Sequence, residues 1–302
     1  MRNKYEEAAS FHHLLRGIIL IGFMMFFFKL LLTHDITLLI APKMVVFISI
    51  TLLIFLLLGV LLILRGTSGE AHHYHCHCER EHSYPSSLMK SVFFYLLFIL
   101  PIITGFLFEN NVLNSSVATN RTIKLGANSL NVSQNGKTIP GFQKSTSSPS
   151  TNNSASTANQ PEPLTESQYG VLKAKLLKTN MININDDQYV PMMNIIQDNL
   201  KGMIGKTITT KGFVYREKNF MQNQIIVARF GITCCVADAS VYGFMAKGDV
   251  AALQKDKWVQ VTGTIEQTQY DGSTIPVINI KHISTISAPE QPYVFDVGIK
   301  IE

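Results

Sequence analysis

The sequence predicts a membrane-anchored α + β protein: three transmembrane helices, a disordered linker and a small β-barrel domain. Three observations predict it. Residues 14 to 108 are mostly Leu, Ile, Phe, Val and Met, whereas residues 109 to 163 are mostly Ser, Thr, Asn, Gln and Gly. From residue 207 onward, β-branched and aromatic runs alternate with turn-forming residues. At 302 residues the chain is long enough for two folded units.

The apolar runs extend from Leu14 to Leu32, from Met44 to Leu64 and from Val92 to Phe108. Each approaches the roughly 17–25 residues that a helix needs to cross the hydrocarbon core. Gly17, Gly22, Gly59, Pro101 and Gly105 are tolerated in such helices because neighbouring groups re-satisfy the backbone. No small-residue cleavage site follows the first run, so it reads as an anchor, not as a signal peptide. Arg2, Lys4 and Arg16 precede the first run, and Arg65, Arg80 and Lys90 lie between the second and third. The opposite side offers Lys43, then Arg121 and Lys124. The excess of Lys and Arg places the N-terminus (1–13) and the loop at 66–90 in the cytoplasm. Three crossings (14–108) then place the C-terminal region outside a cell membrane that the chain spans several times. Membrane lipid is thus an expected partner.

The loop holds His72, His73, His75, Cys76, His77 and Cys78, with His82 shortly after. Imidazole and thiolate are the donors that zinc and other soft metals prefer. Thiols on the cytoplasmic side stay reduced and available as ligands. The alternating spacing does not match the paired C-x₂₋₄-C and H-x₃₋₅-H of a structural zinc site. Dense, irregular donors suit an exchangeable site for zinc or another soft divalent metal. The other reading is a polar juxtamembrane loop that happens to be rich in histidine.

Residues 109–163 form the Ser/Thr/Asn-rich linker. Such a stretch buries too little apolar surface to fold alone, and reads as a tether between membrane and domain.

The domain at 164–302 opens with helical character from Glu166 to Lys178 and a short strand at Met181. Asp186 or Asp187 can cap a helix running to Leu200, with Pro191 in its first turn. Five strand-like runs follow: Thr207–Arg216, Gln224–Ala237, Tyr242–Ala246, Trp258–Glu266 and Thr274–Ile286. Asp271-Gly272 marks a tight hairpin. A short helix at Asp249–Lys255 would complete the order of an OB-like barrel, with Gly212 and Gly263 in its bent strands. A Greek-key sandwich is the alternative. Tyr215, Phe230, Tyr242, Phe244 and Trp258 are either core or a contact surface for an envelope ligand. Acidic and basic residues nearly balance in this domain, although the chain carries +5 in all. Without a basic footprint, no nucleic-acid partner is expected.

Cys234 and Cys235 are adjacent. Their Cα atoms lie about 3.8 Å apart across a trans peptide, short of the roughly 4.4–6.8 Å of an ordinary disulfide. On a strand their side chains would point to opposite faces. Two separate thiols are the plain reading, and a second metal or redox site with Asp238 is the other.

The run from Ile226 to Gly243 (IVARFGITCCVADASVYG) resembles that of the YcgQ-like membrane protein family of Gram-positive bacteria. So do Lys257–Ile265 (KWVQVTGTI), Ile275–Ile278 (IPVI), Pro292–Phe295 (PYVF), the N-terminal hairpin and the His-rich loop. The resemblance implies an accessory subunit that works beside a multi-spanning permease subunit, with a link to zinc. It assigns no catalytic residue. The residues agree, since there is no Cys-x-x-Cys pair, no nucleophile elbow and no paired carboxylate pattern. The expectation is therefore a non-enzymatic permease subunit. The alternative is a structural or ligand-binding envelope protein that uses the barrel as an interaction module.

Overall fold

Three long helices carry the apolar runs. In the computed structural model they are α1 (Arg2–Leu32), α2 (Val45–Thr67) and α3 (Leu88–Leu107). A helix satisfies its backbone groups internally, which is what a chain in hydrocarbon requires. The structure describes residues 2–67, 88–107, 113–121, 123–125, 129–130, 163–296 and 298–300. The expected metal loop from His72 to Cys78, with His82, lies outside the described residues, as does the linker from 131 to 162.

The chain divides into two units, Met1–Asn111 and Val112–Glu302. In the first, Ser10–Leu32 and Pro42–Thr67 are long and apolar enough to cross a membrane, and α3 adds the shorter apolar stretch Ser91–Leu107. Glycines let α1 and α2 approach closely. A Cβ on Gly17 would lie 2.9 Å from the Gly59 carbonyl oxygen, and one on Gly66 would lie 2.9 Å from the Leu14 nitrogen. Polar ties join α1 to α2 and to α3. Ser10 Oγ donates to the Gly66 carbonyl at 2.5 Å, and His12 Nδ1 lies 2.9 Å from Tyr95 Oη on α3. Phe47, Leu53 and Leu57 on α2, and Phe93 and Leu97 on α3, point outward and are exposed.

The second unit begins with short pieces: a single helical turn, α4 (Ser115–Ala118), then β1 (Ile123–Lys124), β2 (Ser129–Leu130) and β3 (Leu164–Thr165). Helix α5 (Glu166–Lys178) starts from a capping box in which Thr165 and Gln168 satisfy each other's backbone N–H groups. Strand β4 (Met181–Asn183) and helices α6 (Tyr189–Asp198) and α7 (Leu200–Met203) lead into the barrel.

The barrel strands are β5 (Thr207–Tyr215), β6 (Gln224–Ile232), β7 (Ser240–Lys247), β8 (Trp258–Tyr270) and β9 (Ser273–Thr285). They pair β5–β6, β6–β7, β7–β9, β9–β8 and β8–β5, which closes the sheet on itself. The β7–β9 pairing is parallel and the other four are antiparallel. This is the five-stranded Greek-key barrel of the OB type, and the sandwich alternative is set aside. Gly212 and Gly263 sit where strands bend closest, since a Cβ at either would collide with the backbone of Ala228 or Asn279. A bulge at Thr262/Gly263 accompanies the second bend. Two short strands complete the unit. β10 (Tyr293–Phe295) joins β6, and β11 (Ile299–Lys300) joins β3.

Tyr189, Met192, Met193, Ile195 and Ile196 of α6 enter the core with Ile208, Val214, Ile225, Val259, Val261 and Ile278. The barrel is therefore plugged by a helix that precedes its first strand. The helix expected at Asp249–Lys255 is absent, and that stretch is a series of turns. Val250 and Leu253 of these turns pack against the core that α6 fills, without a helix to carry them.

The described beginning of the expected linker is not a free tether. Ser115 binds Asp256 through both its N–H (2.5 Å) and its hydroxyl (2.8 Å). The Leu113 N–H donates to Tyr293 Oη at 3.0 Å. Strand β1 extends β7 in parallel, and Ala118, Ile123 and Leu125 are buried. A polar composition misled here because a few apolar residues suffice when a finished sheet edge awaits them.

Candidate functional site

The β6–β7 hairpin gathers the chemistry-bearing residues of the barrel unit. Strand β6 reads Gln224-Ile-Ile-Val-Ala-Arg-Phe-Gly-Ile232, and eight of its nine residues are buried, Arg229 among them. A buried guanidinium must be paired and hydrogen-bonded. Arg229 Nη1 meets Asp186 at 2.7 Å, and Nε donates to the Pro292 carbonyl at 3.0 Å. Nη2 donates to the Gln291 carbonyl at 3.2 Å. The guanidinium carbon lies 5.1 Å from the centre of the Trp258 ring and 5.9 Å from that of Tyr189. Asp186 or Asp187 was expected to cap α6, but neither does, and Gln188 holds the cap position without a side-chain cap hydrogen bond. Asp186 serves Arg229 instead.

Tyr189 and Thr210 lie beneath this cation. Burial pushes the Tyr189 phenol up to about 12, against the opposing pull of Arg229 and of the Thr210 hydroxyl. Neither hydroxyl completes a hydrogen bond of ordinary geometry. At the Arg229–Tyr242 register pair of the same hairpin, Lys124 Nζ donates to Tyr242 Oη at 2.7 Å, and Tyr242 donates to Asp296 at 2.8 Å. Burial first, and Asp296 next, push the Tyr242 phenol up.

The hairpin turn holds the predicted second site. The run expected to stay extended through Ala237 leaves the sheet after Ile232. The Asp238 carboxylate accepts the Cys234 N–H at 2.7 Å and the Thr233 N–H at 3.1 Å, which bends the chain. The two sulfurs therefore do not point to opposite faces. They lie 3.8 Å apart and half-buried, the Cys234 S–H donating to the Cys235 sulfur, with no disulfide between them. The hydrogen bond to Asp238, assisted by burial, pushes the Cys234 thiol up to about 11. Burial works to raise the Asp238 pKa. The Cys234 thiol and nearby backbone N–H groups overcome it and hold that carboxyl below its ordinary value. Among the described residues, no three His, Cys, Asp or Glu side chains converge as a ready metal cage.

The comparisons with known proteins bear on this hairpin directly. The DUF1980 N-terminal domain matches residues 15–124, and the DUF1980 C-terminal domain matches residues 161–296, which contain the whole hairpin. The chain belongs to the DUF1980 family of YcgQ-like membrane proteins. One relative is UPF0703 protein YcgQ of Bacillus subtilis, 33% identical over 117 residues, or 38% of this chain and 41% of that one. Another, from Streptococcus mutans, is 33% identical over 118 residues, or 38% of this chain and 43% of that one. It is named as a subunit of a two-component membrane permease complex. The match thus spans about two-fifths of the length of these curated relatives. Among solved structures, a small single-stranded DNA-binding protein from Streptomyces coelicolor matches at 14% identity with a TM-score of 0.18. That match covers 28% of this chain and 96% of that one. The barrel assignment rests on strand order and not on that likeness.

Within this DUF1980 chain, the structure brings Cys234, Cys235 and Asp238 together. It buries Tyr215, Phe230, Tyr242 and Phe244 and half-buries Trp258, so these aromatics are core and not a contact surface. Sequence reasoning missed Arg229 as a centre, along with Asp186. The available signal was a lone cation inside an otherwise apolar strand run.

Proposed function

We propose that this DUF1980 chain is an accessory subunit of a membrane permease, and that its His/Cys loop handles zinc or another soft divalent metal. The naming of the Streptococcus mutans relative as a permease complex subunit carries the reading. The exposed apolar faces of α2 and α3 supply the surface that lipid and a multi-spanning partner would cover. Three helices are too few to enclose a transport path, so transport needs that partner. In this reading α3 makes a third crossing. The N-terminus and the loop lie in the cytoplasm, as the Lys and Arg bias requires, and the barrel lies outside. His72, His73, His75, Cys76, His77, Cys78 and His82 would supply the metal donors. Ligation requires neutral imidazole and ionised thiol, so affinity falls as pH falls.

The test compares the detergent-solubilised, reduced full chain with a variant in which those seven donors are Ala. Stoichiometric zinc that disappears in the variant is the expected result. Equal zinc in both ends the metal part of the reading. The permease part is tested separately, by photo-crosslinking from Leu53 and Leu57 in native membranes. A discrete adduct with a multi-spanning protein is expected, and lipid adducts alone would overturn it.

A further inference from the structure

We infer that Cys234 and Cys235 form a bidentate, exchangeable site for a thiophilic metal ion on the barrel, separate from the His/Cys loop. The argument is geometric. Two Zn–S bonds of about 2.3 Å opening at a tetrahedral angle place their sulfurs about 3.8 Å apart. The two sulfurs here already lie 3.8 Å apart, joined by an S–H···S hydrogen bond whose proton an ion would replace. That spacing is nearly twice the roughly 2.05 Å of a disulfide, so the turn is set for chelation and not for bonding sulfur to sulfur. Adjacent cysteines in an ordinary strand could not do this, because successive side chains diverge. The bend after Ile232 makes it possible, and Asp238 holds the bend through the Thr233 and Cys234 N–H groups. Arg121 ties the same turn from outside by donating to the Ala237 carbonyl. Both sulfurs are half-buried, so an ion can reach them from solvent while the turn stays fixed.

Binding exchanges two S–H bonds for two metal–sulfur bonds and releases two protons, with no change of oxidation state. Asp238 is a positioning residue. Its carboxylate is occupied by the turn and by the Cys234 thiol, and the remaining coordination positions fall to water. Such a half-filled set favours soft ions and ready exchange over permanent structural binding.

The test uses the full chain in detergent with phosphine reductant, carrying Ala at His72, His73, His75, Cys76, His77, Cys78 and His82 so that the loop cannot contribute. Cd2+ is the probe, because its thiolate complexes absorb in the ultraviolet. One Cd2+ per chain with a sulfur-to-metal band is expected, and Zn2+ should displace it. Cys234→Ser and Cys235→Ser should each abolish the band. Asp238→Asn should weaken binding by about 10–100-fold, as the loss of a supporting partner does. As a readout that does not depend on folding of a cysteine variant, Cd2+ should protect both thiols of the parent chain from alkylation. A band that survives either serine variant, or thiols alkylated equally fast with and without Cd2+, overturns the proposal. Because the loop donors are absent throughout, neither result bears on the loop.

Discussion

Arg229 on β6 and Asp186 before α6 form an ion pair at 2.7 Å, with the arginine side chain fully buried and the aspartate 46% exposed. The pair is lopsided, and its two halves should respond differently to mutation. Arg229 also ties β10 to the barrel through the backbone carbonyls of Gln291 and Pro292. Arg229→Ala leaves those carbonyls and Asp186 without their donor and opens a void beside Trp258. We expect a loss of about 3–5 kcal/mol, as when one partner of a buried pair is removed. Asp186→Asn keeps an acceptor at a half-exposed position, where solvent screens part of the lost charge, but it leaves the buried guanidinium without its counter-charge and should cost about 1–3 kcal/mol. Denaturant titration followed by fluorescence of Trp258, the chain's single tryptophan, reads both. Equal costs for the two variants would show that the backbone anchors are not what the arginine provides.

The barrel should fail in alkali for a definable reason. Burial, as the largest cause in each case, raises the phenols of Tyr189, Tyr215, Tyr242, Tyr270 and Tyr293 above their ordinary value, Tyr189 to about 12. Unfolded phenols lose their protons near pH 10. Above that pH the folded chain holds more protons than the unfolded one, so stability falls as pH rises. The contribution is fully present below about pH 10 and is lost through pH 12. Tyr189, fully buried, adds a slope of up to about 1.4 kcal/mol per pH unit inside that window. Tyr189→Phe removes this group, together with a hydroxyl that lacks a well-formed bond, so the variant should lose stability less steeply between about pH 10 and about pH 12. Urea midpoints by circular dichroism decide it, and identical slopes would refute the assignment.

What was legible in the sequence was periodic or local. The apolar runs announced their helices because a span needs an uninterrupted stretch. The five strands followed from β-branched runs, and Asp271-Gly272 turns with both φ angles positive, 48° and 75°, as a two-residue hairpin of this kind requires. What was not legible depends on distant partners. Asp186 looks like a helix cap because it stands before α6, and only Arg229, 43 residues away, claims it. The Cys234–Asp238 turn was hidden because Asp238 withdraws two N–H groups from a ladder that the residue types favour. Residues 113–121 and 123–125 were hidden because polar composition does not register a sheet edge waiting elsewhere.

That docked segment can be loosened selectively. Ser115 and Asp256 share two hydrogen bonds to a charged acceptor, and Asp256 occupies a left-handed backbone position with φ 66°. Asparagine tolerates that conformation, so Asp256→Asn weakens the tie without straining the loop. Hydrogen bonds to charged groups contribute roughly 1.5–3 kcal/mol. If opening precedes cleavage, trypsin should then cut at Arg121 and Lys124 roughly ten- to a hundredfold faster. An unchanged cleavage rate would mean that β1 pairing with β7, and not Asp256, holds the segment.

In the membrane unit, two glycines on α1 should behave oppositely when a methyl group is added. A Cβ on Gly17 would lie 2.9 Å from the Gly59 carbonyl oxygen and 3.1 Å from the Ile63 nitrogen, both backbone atoms of α2. Neither can turn aside, so the two helices must separate. A Cβ on Gly22 meets only the tip of the Ile102 side chain, at 3.3 Å, and that tip can move. Alanine favours a helix over glycine by up to about 1 kcal/mol. At Gly22 that gain should survive, leaving stability unchanged or slightly higher. At Gly17 the overpacking cost of about 1–3 kcal/mol should exceed it. Thermal midpoints of the two alanine variants in one detergent make the comparison. A Gly17→Ala chain as stable as the Gly22→Ala chain would show that α1 and α2 are held by their polar tie, Ser10 to Gly66, and not by the closeness of their backbones.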